Sequence, residues 1–333
     1  MPRFALLPRE SSNRVYADAA PALLGAELLA VAGAMHAEVA SVAEQSFGAV
    51  PYVVFDAEAL DDHDRFLTSN LSTVRAVFEV RADGAFLPIA IQPLEYFGSD
   101  LITIQRYPGK TNEQFTHLLV NLTVAASRAA ADRVAEGAQV RVFDPVAGRG
   151  TTLNRALMYG YDATGIEVVE GDVDQYRTFI TSYLKDHRIK HRVTSEKIRK
   201  GPLAGTSQFA VAIRGRQEVR LVRGAAAQSA ALLAGRKFDA VVGDLPYGVQ
   251  HRAAASKTSN RSPEELLDES LAGWRGLMRP GAAIGLSWNL LTMKRAVLVD
   301  VLEQAGFTVV EHPRSFEHVV DRSITRDLIV ATR

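Results

Sequence analysis

Two kinds of apolar spacing alternate along the last two thirds of the chain. Short apolar runs fit β-strands, and between them apolar residues recur at the three- and four-residue spacing of amphipathic helices. The runs cover residues 140–144, 163–168, 219–222, 238–244, 282–288 and 328–331. The helical segments cover residues 111–135, 151–159, 172–186, 264–278 and 292–305. Strands that alternate with helices predict an α/β fold, with a doubly wound, mostly parallel sheet whose ligands bind at the carboxyl ends of its strands.

Residues 1–107 have a different texture. Short β-type runs surround an Ala/Leu-rich helix, and a turn signal stands at Ala82-Asp83-Gly84. The runs are RFALL, PYVVF, VRAVFEV and FLPIAIQ. The pattern predicts a smaller N-terminal α+β domain over 1–107, with RNA docking as its expected role, followed by a second domain over 108–333.

Composition narrows the range of chemistry. The 333 residues include 38 basic and 38 acidic side chains, so a nucleic-acid partner must be held by a local basic patch. Cysteine is absent, and the eight histidines form no HExxH motif, so we expect no metal. The N-terminus lacks a signal-peptide layout, and the apolar segment from Ala20 to Met35 is interrupted by Glu27. That segment is shorter than the roughly 20 residues of a bilayer span, which predicts a cytoplasmic protein with no membrane partner.

A glycine-containing loop, DPVAGRGTT at 144–152, joins the first strand of the second domain to a helix. Its glycines allow backbone amides to approach a ligand, and Glu167 ends the next strand, where an acid can bind a ribose diol. Asp144 would repel a pyrophosphate and attract a cation, which favours S-adenosylmethionine over a dinucleotide. A tight turn without a ligand is the alternative. The predicted cofactor-binding residues are Asp144, Pro145, Ala147, Gly148, Gly150, Thr151, Thr152, Glu167 and Asp244.

A second motif, GDLPYG at 243–248, ends the strand at 238–244. The Asp244 carboxylate and the Leu245 carbonyl can each accept one N–H bond of an aromatic amine. Pro246 stiffens the turn, and Tyr247 offers a face on which a base can stack. Because the amine lone pair is delocalised, alignment and hydrogen bonding would carry much of the catalysis. Asp244, Leu245, Pro246 and Tyr247 are therefore the predicted catalytic residues, with a plain β-turn as the alternative.

Together, DPVAGRGTT, GIE and DLPYG resemble the class I S-adenosylmethionine-dependent amino-methyltransferases. The motif order and Gly248 look most like the tRNA guanine-N2 methyltransferases that carry a THUMP domain. The similarity covers Lys110 to Arg333, and it implies a Rossmann-like methyltransferase sheet. It also implies that the loop glycines and Glu167 contact the cofactor and that residues 244–247 hold the target base.

The sequence departs from this family in two places. The third strand ends in Arg223-Gly224, where many relatives place an acid that binds the adenine amine. The N-terminal hundred residues are also too few for a full THUMP domain with its leader.

An insertion between the second and third strands, residues 185–200, is strongly basic. Against only Asp186 and Glu196 it carries Lys185, Arg188, Lys190, Arg192, Lys197, Arg199 and Lys200. This excess predicts a phosphate-binding surface, with a solvated loop as the alternative. The segment 251–261 reads as a loop over the active site that could clamp a flipped base, or as a connector. At the start of the helix predicted over 111–135, Thr111 or Asn112 would cap the helix or contact the cofactor or RNA.

These features predict methyl transfer from S-adenosylmethionine to an exocyclic amine of an RNA base, with guanine N2 in tRNA as the expected target. A DNA adenine or cytosine amino-methyltransferase would share the chemistry, but no target-recognition domain is evident. A protein glutamine methyltransferase would also use such a turn, but in that class the turn normally begins with Asn, and the basic insertion would have no purpose. A non-catalytic nucleic-acid-binding module that keeps the fold is the alternative from another class.

Overall fold

The computed structural model describes residues 1–11, 14–107, 109–198, 203–246 and 262–333, and the chain forms two compact units. The first comprises Met1–Leu94 and Glu311–Asp327, and the second Glu95–Val310 and Leu328–Arg333. The first unit thus ends earlier than the 107/108 boundary predicted from the sequence. Residues after Leu94 bond to the second unit's own helices: the Tyr96 amide donates to the Met158 carbonyl at 2.8 Å.

The first unit is a five-stranded antiparallel sheet with two helices, in the order β2-β3-β1-β4-β5. Its elements are β1 (Arg3–Pro8), α1 (Arg14–Val31), β2 (Ala40–Phe47), β3 (Val50–Asp56), α2 (Asp62–Ser69), β4 (Val74–Val80) and β5 (Phe86–Ile89). The predicted α+β architecture of this region is confirmed. The sequence did not reveal β2, because its side chains are mostly exposed and show no apolar alternation.

Helix α1 begins before the apolar segment that was predicted from Ala20 to Met35, so the apolar stretch is longer than predicted. The window Val15–Ala34 has the length and composition of a membrane span, but 56% of it is buried inside the protein. Glu27 in its middle is fully buried, and its carboxylate accepts hydrogen bonds from the backbone amide and hydroxyl of Ser72, at 2.8 and 2.5 Å. The helix also packs on β2 and β3. These contacts are typical of the core helix of a globular unit.

The second unit contains most of the remaining elements. Its helices are α3 (Asp100–Thr103), α4 (Glu113–Ala125), α5 (Arg128–Ala135), α6 (Thr151–Met158), α7 (Glu170–Asp186), α8 (Ser229–Leu232), α9 (Pro263–Leu277) and α10 (Arg295–Gln304). Its strands are β6 (Arg141–Asp144), β7 (Asp162–Glu167), β8 (His191–Lys197), β9 (Ser207–Ile213), β10 (Gln217–Arg223), β11 (Phe238–Asp244), β12 (Met278–Asn289) and β13 (Thr308–Val309). Two further strands follow, β14 (His318–Asp321) in the first unit and β15 (Ile324–Thr332), whose last residues return to the second.

The sheet of the second unit is doubly wound, as predicted. Its order is β13-β15-β12-β11-β6-β7-β10-β9-β8, and the pairs from β12 to β10 are parallel. From β10 to β12 the parallel strands lie in the order β10-β7-β6-β11-β12, which is third, second, first, fourth and fifth along the chain. The order reverses between β6 and β11, and ligands of open α/β sheets bind outside the strand ends at such a switch point.

The helix predicted over 111–135 is divided into α4 and α5. Ser127 interrupts it, because its hydroxyl donates to the Asp239 carbonyl at 2.5 Å and accepts the Ala130 amide at 3.0 Å as the N-cap of α5. The predicted C-terminus is confirmed: Gly137 has φ +64°, and its amide donates to the Val134 carbonyl.

The basic insertion is more ordered than its sequence suggests. Strands β8 and β9 form an antiparallel hairpin that extends the sheet beyond β10. The sequence prediction missed both strands. Strand β8 carries polar or charged residues on both faces and lacks the alternation of a half-buried strand, whereas β9 contains the buried apolar run FAVAI.

Candidate active site

Three acidic residues end neighbouring strands on either side of the switch point. Asp144 ends β6, Glu167 ends β7 and Asp244 ends β11. The registers Asp144 to Gly165 and Phe143 to Val241 bring the three strand ends to one edge of the sheet. Burial is the main cause of the raised pKa of the Asp144 carboxyl, and the nearby charges of Asp244 and Glu167 raise it further. The acids predicted to bind the cofactor therefore share one site.

The loop after β6 turns sharply on two glycines. Gly148 has φ +50° and Gly150 has φ +81°, a left-handed conformation that side chains rarely adopt. A Cβ atom at Gly150 would lie 2.3 Å from the ring of Tyr176, whereas one at Gly148 would have no atom within 4 Å. Gly150 is thus required by packing inside the protein, and Gly148 leaves the space above the loop open.

Asp144 is buried at the base of this loop, with 2% of its surface exposed. Its carboxylate accepts the Val146 amide at 3.0 Å and a hydrogen bond from the Thr152 side chain. Burial raises the pKa of Asp144 to about 7, since these bonds offset only part of the desolvation of the charged form. A cation placed next to this carboxyl would favour its ionised form.

Glu167 is bonded to the backbone on both sides of the loop. One carboxylate oxygen accepts the Gly148 amide at 2.9 Å and the other accepts the Val169 amide at 2.7 Å. Burial raises the pKa of this carboxyl. Each oxygen has a second lone pair, so these bonds hold the acid in place and leave acceptor capacity for a ligand hydroxyl.

Two hydroxyl groups from distant segments hold the carboxylate of Asp244. Ser287, at the paired position of β12, donates to Oδ1 at 2.5 Å, and Thr111 donates to Oδ2. The Leu245 amide in turn donates to the Ser287 carbonyl at 2.8 Å. The sequence prediction missed Ser287 and the contact of Thr111. Asn112 is the cap of α4, through bonds from the Gln114 and Phe115 amides to its side chain.

A second missed group lies at the other side of the loop. Tyr107 makes a hydrogen bond with Thr151 at 3.1 Å, and the Arg149 guanidinium lies 4.6 Å from the centre of the Tyr107 ring. Arg149 also pairs with Asp172 at 2.8 Å. Burial raises the pKa of the Tyr107 phenol. A groove of about 430 Å³ adjoins these residues and continues along α7 to Phe179.

The remaining predicted residues of the two motifs fall in different parts of this site. Pro145 and Ala147 are buried, and the Ala147 amide donates to the Ile166 carbonyl at 2.9 Å, which joins the loop to β7. Leu245 is fully buried and Pro246 is exposed. Tyr247 lies outside the described residues, as do Arg199, Lys200 and the segment 251–261.

The third parallel strand ends without an acid, as its sequence shows. The Gly224 amide donates to the Glu167 carbonyl at 3.0 Å, and the Ala225 amide donates to the Gln228 side chain at 3.3 Å. Arg223 forms an ion pair with Glu170 at 3.3 Å. Where many relatives have an acid, the backbone amides of Gly224 and Ala225 are thus bonded to other groups of the protein.

The hairpin separates the basic residues of the insertion. Lys197 pairs with Ser207, Ser207 with Arg223, and Arg223 with Glu167, so Lys197 lies in one row with the acid of the candidate site. The others lie at the opposite edge, at the end of α7 and the start of β8. These are Lys185, Arg188, Lys190 and Arg192. Of the described basic residues of the insertion, Lys197 alone shares the edge of the sheet with the acids.

In the first unit, His36, Asp61 and Asp64 place one potential metal-binding atom each within 4.8 Å of one another. Both oxygens of Asp64 accept backbone amides, from His36 and Ala37, and the His36 ring bonds to Asp61 at 2.7 Å. These bonds explain the cluster without an ion, and the absence of a metal stays a prediction.

No family model and no curated protein matches the chain. Among solved structures, a methyltransferase from Pyrococcus furiosus is 14% identical and covers 68% of this chain and 87% of its own, with a TM-score of 0.39. An rRNA methylase from Streptococcus thermophilus is 9% identical and covers 68% and 99%, with a TM-score of 0.38. Magnesium protoporphyrin IX methyltransferase from Synechocystis, solved with S-adenosylmethionine bound, is 16% identical and covers 68% and 86%, with a TM-score of 0.37. Likeness at this level does not define the fold, which rests on the strand order and register.

Proposed function

We propose that this protein transfers a methyl group from S-adenosylmethionine to an exocyclic amine of an RNA base, with guanine N2 in tRNA as the target. The observation that carries the proposal is the convergence of Asp144 and Asp244 at the switch point of the sheet. One acid lies beneath a glycine loop, and the other begins the DLPY motif, which could hold a planar amine.

The residues present fit the cofactor. The open space above Gly148 admits a ligand next to the loop backbone, and the buried carboxyl of Asp144 suits a ligand that carries positive charge. Glu167 keeps acceptor capacity for a ribose diol. S-adenosylmethionine would supply the electrophilic methyl group, and Asp144, Gly148, Gly150 and Glu167 would hold it.

Asp244 would orient the acceptor amine. Thr111 and Ser287 each donate a hydroxyl to one of its oxygens, and a carboxylate oxygen can accept more than one hydrogen bond, so the same group could also accept an N–H of the target. Because Thr111 and Ser287 fix the carboxylate before the base arrives, little reorganisation accompanies binding. Leu245 would accept the second N–H through its carbonyl, and Asp244 would accept the proton that the methylated nitrogen must release.

The choice of RNA rests on Lys197 and on the basic residues that follow it in the sequence. Lys197 lies at the same sheet edge as the candidate site, where it could contact a phosphate next to the target nucleotide. The groove beside Tyr107 is also lined by Arg106 and Arg149, whose guanidinium groups could contact a phosphate. Docking of tRNA by residues 1–107 and a cytoplasmic location belong to the same proposal.

The first test is transfer of labelled methyl from S-adenosylmethionine to separate pools of tRNA, rRNA and DNA, followed by nucleoside mass analysis. We expect N2-methylguanosine in tRNA. Asp244→Asn should abolish turnover and leave cofactor affinity within a few-fold of the wild type. Asp186→Asn, an exposed change at the far end of α7, is the matched control.

Thr111→Val and Ser287→Ala test the positioning of Asp244. Each should lower kcat while cofactor affinity stays unchanged, and Thr111→Ser should restore much of the lost rate because it keeps the hydroxyl. Label in DNA would favour the DNA amino-methyltransferase alternative. Cofactor binding without transfer to any of the three pools would favour a non-catalytic module.

A further inference from the structure

Strand β8 forms one end of the second unit's sheet. Among the described residues, no strand pairs with its outer edge. Its sequence HRVTSEK has neither proline nor glycine, and every side chain after His191 is exposed. An exposed edge of this length presents a row of backbone donors and acceptors that can pair with another strand.

Hydrogen bonds at the two ends of the β8–β9 ladder show which backbone groups point outward. The Arg214 amide donates to the Lys190 carbonyl at 2.8 Å, and the Ile198 amide donates to the Thr206 carbonyl at 3.0 Å. Bonded pairs alternate in an antiparallel ladder, so the even-numbered residues between these ends bond to β9. The outward backbone groups therefore belong to His191, Val193, Ser195 and Lys197.

These outward groups match those of a second β8. When two copies run antiparallel about Thr194, His191 lies opposite Lys197 and Val193 lies opposite Ser195. Both pairings join residues whose backbone groups point outward. The whole edge can thus form hydrogen bonds in this register, with no overhang at either end.

The charged side chains of β8 match in the same register. Arg192 of one copy lies opposite Glu196 of the other, and two-fold symmetry produces this pair twice. Glu196 already ends a polar ladder across the sheet, since Gln208 donates to it at 2.7 Å and Arg220 donates to Gln208 at 2.9 Å. A partner's arginine at this position would continue the ladder.

We propose that the protein forms a homodimer through antiparallel pairing of two β8 strands about Thr194, which joins the two sheets. Charged residues on an edge strand oppose pairing with arbitrary strands. Here the same charges favour the self-complementary register, because each meets its opposite. The proposal is independent of the methyl-transfer function.

The test is sedimentation equilibrium over a range of protein concentrations. Wild type should approach twice the monomer mass. Arg192→Glu and Glu196→Arg should each raise the dimer Kd about tenfold, since two attractive pairs become repulsive. An equimolar mixture of the two variants should regain wild-type affinity, because each charge then faces its opposite in the heterodimer. Arg322→Glu, the same charge change on the first unit, should leave the Kd unchanged.

A backbone variant tests the pairing itself. Val193→Pro removes an outward amide and leaves the β8–β9 ladder intact, so it should abolish the dimer without altering thermal unfolding. A wild-type protein that stays monomeric at all concentrations would overturn the proposal. So would a dimer that tolerates Val193→Pro, or two charge variants whose mixture regains no affinity.

Discussion

Replacement of Asp144 by asparagine should change how the stability of the second unit depends on pH. The carboxyl is buried, and its pKa is raised from 3.8 to about 7, chiefly by desolvation. In the unfolded chain the same group ionises near its ordinary pKa. The folded state therefore binds the proton more tightly, and this contribution to stability is lost as pH rises through about 7.

The magnitude follows from the pKa difference. Between pH 5 and pH 6 the unfolded carboxyl is ionised and the folded one is still protonated, so each pH unit removes about 1.4 kcal/mol from the free energy of unfolding, and the loss levels off as the folded carboxyl ionises near pH 7. Wild type should lose about 2 to 3 kcal/mol more than Asp144→Asn between pH 5 and pH 8. Asparagine keeps the shape of the side chain and a carbonyl that can accept the Val146 amide, so the comparison isolates the charge.

The assay is urea unfolding at pH 5 and pH 8, followed by tryptophan fluorescence. Both tryptophans, Trp274 and Trp288, are fully buried in the second unit, so the signal reports the unit that contains Asp144. Asp174→Asn, an exposed change on α7, is the control and should follow wild type. Equal pH dependence in wild type and Asp144→Asn would refute the electrostatic reasoning.

Three other changes test the loop and the helix break. Gly150→Ala should destabilise the second unit severely in the same urea assay, since its Cβ would lie 2.3 Å from the ring of Tyr176 in a left-handed backbone. Gly148→Ala should cost only about 1 kcal/mol of stability but should weaken S-adenosylmethionine binding in calorimetry at least tenfold, because its Cβ enters the open space above the loop. Ser127→Ala should destabilise the unit by about 1 to 2 kcal/mol through loss of the N-cap, while Ser127→Asn should retain most of the stability.

The sequence predicted the parallel core of the fold well, because there the apolar period and the buried surface coincide. Strand β11 was predicted with its observed bounds, and α6 differs from its prediction by one residue. Strand β8 was missed for the opposite reason. Backbone pairing with β9 stabilises its extended conformation, and its exposed side chains form no pattern that would indicate this pairing.

The part of the candidate site that could be predicted from the sequence is the part formed by residues close together in the chain. The glycine loop is such a segment, since strand, turn and helix follow one another along the chain. The groups that position Asp244 come from far away: Ser287 is 43 residues distant in sequence and Thr111 is 133. Contacts of this kind depend on the order of strands in the sheet, which apolar periodicity alone does not determine.

The electrostatics of the site also depend on that order. Asp144 and Glu167 are buried with raised pKa values, and Asp244 adds a further acid beside them, so the site concentrates carboxyl groups in a region poor in water. Desolvation of these carboxyl groups costs stability, and their bonds to backbone amides offset only part of that cost. Their retention at the switch point has a physical use if a cation binds there, because the same desolvation that raises the pKa of Asp144 strengthens its attraction to positive charge. Strand order thus brings three separate strand-end acids into one site, to which the proposed function assigns the cationic cofactor and the acceptor amine.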